Sequence, residues 1–204
     1  MATSQNEFYR GVEAASAALT PTSAATPAAA AAAVHAALAG LLAPTPDSPP
    51  RECRAGCAAC CHFPVGVTWP EAIALAAAIE ADGVLRPMVL AAAEAVANQS
   101  WGQLAGVPCP LLQAGRCGAY AVRPVPCRAL ASASAAACAA ALQGDRGSDV
   151  PRDEVAFWRG LGATAALAGG AVPGIRELRS AVAAVLQAAP GDRAAAFLAS
   201  RPAG

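Results

Sequence analysis

The sequence predicts a mostly α-helical protein, a small irregular helical domain built around a cysteine-rich core with at most one short β-hairpin. Ala dominates the chain, and apolar residues recur at three-and-four spacing in several stretches. No run of β-branched residues is long enough for an extended sheet, and 17 Pro and 18 Gly cut the chain into short pieces.

In chain order, residues 7–19 and 27–42 read as helices, the second with Pro27 in its first turn. Their weak polarity pattern predicts loose packing. Residues 43–50 hold four prolines and read as an extended linker. Thr68 followed by Glu71 is a capping-box pattern, opening a helix through Ile73, Leu75 and Ile79 that stops at Asp82 and Gly83. Pro87 begins a further helix to about residue 99. Residues 108–117 suggest a small hairpin about a Gln-Ala-Gly-Arg turn. Arg123-Pro124-Val125-Pro126 is unfit for a helix interior, which puts Cys127 on a constrained turn. Residues 132–142 form a helix carrying Cys138. Val155, Phe157, Trp158 and Leu161 mark another, and Ile175, Leu178, Val182, Val185 and Leu186 a last one.

A chain of 204 residues allows one domain with appendages. The expected organisation is an Ala/Pro-rich helical segment and linker over 1–50, a cysteine core over 51–144, and a helical extension over 145–204 that packs on the core. Hydrophobic residues make up 56 % but aromatics only 4 %, so Ala supplies most of the apolar count and the core is thin. With no Lys and a formal net charge of zero, the chain lacks the basic footprint that nucleic acid or an anionic membrane surface would require. The N-terminus carries Glu7 before any basic residue and has no strongly apolar run, which argues against export and against a membrane span. The expectation is a cytoplasmic protein whose thiols stay reduced, where clustered Cys bind metal.

All eight cysteines lie between Cys53 and Cys138. Cys53, Cys57 and Cys60 are spaced as thiolate ligands from one loop must be. Cys61 adjoins Cys60, and in extended backbone the two side chains would point to opposite sides, serving a polynuclear cluster or two sites more easily than one ion. Cys109, Cys117, Cys127 and Cys138 are spaced too widely for a single loop, so the fold must bring them to the first group. Arg51, Arg54, Arg116, Arg123 and Arg128 flank these positions and can balance thiolate charge. His62 follows Cys61 but reads as a surface or core residue, and His35 has no partner nearby in sequence.

Cys53-x3-Cys57-x2-Cys60-Cys61, then Cys109-Pro110-Leu111-Leu112, then Cys117-x2-Tyr120-x2-Arg123-Pro124-x2-Cys127-Arg128 resemble the YkgJ-type cysteine-cluster family, over roughly residues 51–140. Cys138 matches a further cysteine of many members, whereas Ala58 stands where members often carry Gly. The resemblance implies a zinc- or iron-chelating protein, with an iron–sulfur cluster as one form of the iron. It implies Cys53, Cys57, Cys60, Cys61, Cys109, Cys117, Cys127 and Cys138 as metal ligands. It also implies that Pro124 fixes the turn, Arg123 and Arg128 balance charge, and Tyr120 packs over the site. Some relatives with a similar cysteine signature are linked to lysine N-methylation of flagellin.

An iron–sulfur enzyme, either an oxidoreductase or a methyltransferase of that kind, is therefore the alternative function. A methyltransferase needs a Gly-rich turn after a strand, and Gly160-Leu161-Gly162-Ala163-Thr164-Ala165 is the nearest match, on a stretch that looks helical. A radical S-adenosylmethionine reading of Cys53, Cys57 and Cys60 lacks the parallel strands of its barrel. A closed metal knot stapling a thin helical core is the remaining reading. The sequence points to no catalytic residue, organic cofactor or particular protein partner.

Overall fold

The computed structural model describes residues 2–46, 48–54, 56–144 and 150–203. The expected boundary between core and extension, at 144–145, adjoins residues outside that set. Helices α1 (Ala2–Ala18) and α2 (Pro27–Leu41) come first. Strand β1 (Gly66–Thr68) runs straight into α3 (Trp69–Asp82), followed by α4 (Leu85–Ala95). The hairpin β2 (Leu112–Gln113) and β3 (Arg116–Cys117) lies where the sequence predicts it. Short helices α5 (Val125–Ala129) and α6 (Ala135–Leu142) precede α7 (Glu154–Ala168). Strand β4 (Ile175–Glu177) runs into α8 (Leu178–Gln187), and α9 (Arg193–Ala199) ends the described fold. The mostly α class holds.

The sequence gives no hint of a second sheet. β1 and β4 pair antiparallel, with Gly66 opposite Glu177 and Thr68 opposite Ile175. Ile175, read from its spacing as helical, is therefore a strand residue, and the helix begins three residues later. Three-residue strands carry too little alternation to be seen in sequence. Each strand ends at the N-cap of the helix it feeds. Thr68 and Glu71 make the capping box of α3, and the Glu177 side chain accepts the Ser180 N–H at 3.0 Å at the start of α8.

Two apolar clusters result. The larger joins α3, α4, α8 and α9 through Leu75, Ile79, Leu85, Val89, Val182, Val185 and Phe197, all essentially sealed from water. The smaller joins α1, α2, α5 and α7 through Ala15, Val34, Leu38, Val125, Ala163 and Leu167. α1 and α2 are thus packed rather than loose. Their weak polarity pattern misleads because Ala and Gly let backbones approach without large side chains. On α7, a Cβ added at Gly162 would collide with the Phe8 carbonyl of α1, and one added at Gly160 would collide with Cβ of Ala129 on α5. The Gly160–Ala165 match is therefore a helix-packing face in the interior of α7, not a turn after a strand.

Arg51 and Asp153 tie the linker to α7. Arg51 donates to the Asp153 carboxylate at 2.7 and 3.0 Å and to the Leu42 carbonyl at 2.8 Å. Asp153 also accepts the Ala156 N–H at 3.0 Å as N-cap of α7. Burial pushes its pKa upward, but the Ala156 N–H and the Arg51 guanidinium outweigh it and hold the carboxyl below the usual value of 3.8. A depressed folded-state pKa contributes stability that is present above the unfolded value and lost as pH falls through the folded one. Stability of the wild type therefore falls as pH drops below about 4, and Asp153→Asn flattens that dependence in urea titrations at stepped pH. At neutral pH, Asp153→Ala costs about 2 kcal/mol. Gly162→Ala forces α1 off α7 and costs about 2 kcal/mol, read as a fall in the denaturant midpoint.

Candidate metal centre

The first cysteine loop closes on a 3-10 turn, Ala59–His62. That turn advances about 120° per residue, so adjacent side chains do not oppose each other as they would in extended backbone. The Cys60 and Cys61 thiols accordingly influence each other. The interaction with Cys61, with desolvation next, pushes the Cys60 pKa far up, and the same interaction holds Cys61 below the usual thiol value against its own desolvation. His62 turns its Nδ1 to the Ala58 carbonyl at 3.0 Å, fastening the turn itself.

The second loop is pinned across the first by backbone. Cys109 N–H donates to the Cys61 carbonyl and Gly106 N–H to the His62 carbonyl, both at 2.7 Å. From the far side, buried Arg179 of α8 donates to the Val107 carbonyl at 2.7 Å and the Pro108 carbonyl at 3.2 Å, while its Nη1 meets Glu177 at 2.8 Å. Burial pushes the Cys109 thiol up, offset in part by the Leu111 N–H and by Arg179. Cys117 follows on β3, opposite Leu112, and burial raises it too, with Arg123 pulling the other way.

Cys127 is on α5, not on a non-helical turn. Pro126 occupies the first turn of the helix, where no N–H is required, so the proline pair starts the helix instead of blocking it. Burial is the main reason the Cys127 thiol is pushed far up, and Cys109, Cys60 and Cys117 add to it. Cys61 in turn feels Cys109, Cys127 and Cys117. Five thiols from four separate segments, Cys60, Cys61, Cys109, Cys117 and Cys127, thus share one electrostatic neighbourhood.

The other three cysteines are held by different contacts. Exposed Cys53 accepts the Ser132 N–H at 3.3 Å, next to a backbone bond from Glu52 N–H to the Ser132 carbonyl at 2.9 Å. The Glu52 carboxylate accepts the Ala135 N–H at 2.7 Å, at the start of the helix that carries Cys138. α6 packs against the turn of Cys60 and Cys61. Cys57 N–H donates to the Arg54 carbonyl at 2.9 Å. Among the described residues, no three His, Cys, Asp or Glu side chains stand close enough as placed to hold one metal ion.

The arginines divide their work differently from their sequence positions. Arg51 serves Asp153, and Arg54 and Arg116 are exposed. Arg128 spends its Nε on the Arg123 carbonyl at 2.8 Å and an Nη on the Ala121 carbonyl, so it shapes the turn before Cys127. Arg123 lies 4.2 Å from the centroid of the exposed Tyr120 ring and lowers both Cys60 and Cys117. Arg179 and Glu177, which hold the Cys109 loop, go unnoticed in the sequence because nothing in linear spacing links them to a cysteine some seventy positions earlier.

The thiolate is the nucleophile, so the order of reactivity follows these environments. In metal-free native protein at neutral pH, iodoacetamide labels Cys61 ahead of Cys109, Cys117 and Cys127, as peptide mass mapping reads it. Equal labelling of all four would mean that Cys60 does not favour the Cys61 thiolate.

No helix among the described residues is long and apolar enough to cross a membrane. No curated protein and no solved structure matches the chain. Residues 52–145, which hold all eight cysteines, match the family model CxxCxxCC, described as a putative zinc- or iron-chelating domain, in agreement with the YkgJ-type motifs.

Proposed function

We propose that the protein binds zinc or iron through cysteine thiolates, with Cys60, Cys61, Cys109, Cys117 and Cys127 as the principal donors. Cys53, Cys57 and Cys138 complete the ligand set from the loop and helix beside them. The observation that carries this reading is the shared electrostatic neighbourhood of five thiols delivered by four segments. Partly buried thiols that raise one another's pKa are costly to ionise, and a divalent cation removes that cost. Soft sulfur donors suit zinc and iron–sulfur chemistry alike. The bound metal would supply positive charge that turns neutral thiols into thiolates, with release of their protons. Rotation of side chains on the loops that Arg179 and Arg128 hold would bring the sulfurs to a common metal.

An iron–sulfur centre is the more specific form of the proposal. It is favoured by Cys60 and Cys61, adjacent in sequence on one 3-10 turn and each shifting the other's pKa, an arrangement suited to neighbouring metals in one cluster.

Metal and acid-labile sulfide analysis of protein purified without oxygen tests both levels. Iron with stoichiometric sulfide and a brown colour supports the cluster, whereas colourless protein with stoichiometric zinc leaves the closed thiolate site. Protein that takes up neither metal refutes the proposal. Cys61→Ser lowers metal content and the melting temperature of the loaded protein together, because binding free energy is folding free energy at such a site.

A further inference from the structure

Glu71 sits between the first turn of α3 and the start of α5. Its side chain is fully buried, and each of its oxygens is engaged. Oε2 accepts the Thr68 N–H at 2.9 Å and the Thr68 hydroxyl at 2.7 Å, which is the capping box. Oε1 accepts the Val125 N–H at 2.6 Å, and His35 Nε2 stands 3.8 Å away without a hydrogen-bond partner.

Val125 lies between Pro124 and Pro126, so it owns the single backbone N–H of that triplet. It is the first residue of α5, where an N–H has no acceptor within the helix, and it is sealed from water. Without Glu71 that donor would be buried and unpaired, a costly state. Two residues on comes Cys127, which feels the Glu71 charge. A side chain that caps one helix thereby fixes the start of another, and with it the position of one thiol.

We infer that Glu71 is a positioning residue for Cys127: it holds α5 in place so that this thiol meets Cys60, Cys109 and Cys117. The inference rests on the proposed metal binding for its consequence, but the contact with Val125 can be tested without metal.

Glu71→Gln separates the two duties. Gln is as acceptable as Glu in a capping box, and two donors at Oε2 against one at Oε1 turn its carbonyl toward Thr68. The amide nitrogen then faces the Val125 N–H, donor against donor. Thr68→Ala does the reverse, weakening the cap while leaving the Val125 bond.

In metal-free protein, amide exchange at Val125 is expected to quicken at least tenfold in Glu71→Gln and to stay near wild type in Thr68→Ala. In chelator competition with Zn2+, Glu71→Gln is expected to bind about 10- to 100-fold more weakly, and Thr68→Ala within about threefold of wild type. Equal losses in the two variants would overturn the inference, since Glu71 would then act through helix stability alone. Unchanged Val125 exchange in Glu71→Gln would overturn it as well. Should Glu71→Gln not fold, Glu71→Asp, too short to span Thr68 and Val125 together, takes its place with the same expected pattern. If wild type takes up neither Zn2+ nor iron, the proposed function fails, and Val125 exchange still decides whether Glu71 holds α5.

Discussion

Two carboxylates with no exposure to water, Glu71 and Glu177, hold the segments that carry Cys127 and Cys109. They stand at the starts of α3 and α8, where helix N-termini favour negative charge and spare backbone donors need acceptors. The antiparallel β1–β4 pair ties those two helix starts to the opposite ends of one short ladder. From there each carboxylate reaches outward, Glu71 to the Val125 N–H and Glu177 through Arg179 to the carbonyls of Val107 and Pro108. Cys127 and Cys109 are therefore referred to one small rigid frame, although they leave it in different directions.

Such a frame matters because apolar packing is scarce around the thiols. The larger cluster reaches Cys109 and Cys117 only at its edge, and the smaller reaches Val125 and Ala129 of α5. Between them the loops are held by hydrogen bonds, each worth about 1 kcal/mol net, rather than by large buried side chains. Directional bonds suit a site whose sulfurs must stay within reach of one another without being pressed together. α7 adds support from behind, since Gly160 and Gly162 let α5 and α1 approach where any larger residue would wedge them apart.

Local signals in the sequence were strong wherever one short segment carried the information. The Thr68–Glu71 cap, the stop at Asp82, the hairpin ahead of Cys117 and the helical character of 154–168 all follow from rules within one or two turns of chain. What escaped was set by partners far away. Ile175 shows the helical spacing but is a strand residue because β1 is there to pair with it. Arg51 and Arg128 sit beside cysteines, yet each finds a better acceptor, Asp153 for one and turn carbonyls for the other. Cys60 and Cys61 were separated by an assumption of extended backbone, and a 3-10 turn brings them together. The motif told which residue types gather, whereas the arrangement depended on Glu177 and Arg179, which no cysteine spacing announces.

The charge pattern that emerges has an internal logic. Burial and mutual repulsion push Cys109, Cys117 and Cys127 up, and the interaction with Cys61 pushes Cys60 up as well. One thiolate is thus favoured and its neighbours are kept neutral. The cations nearby do little to change that: Arg179 is matched by Glu177 at 2.8 Å, and Arg123 serves Cys60 and Cys117 from beside Tyr120. A set of thiols most of which are shifted toward the neutral form resists ionising, yet it is ready to do so when a soft cation enters. Protein charge strong enough to ionise all five would remove much of the advantage a metal brings. The arginines that do bond near the sulfurs are spent on backbone, Arg128 on the carbonyls of Arg123 and Ala121 and Arg179 on those of Val107 and Pro108, so they hold the loops rather than ionise the thiols.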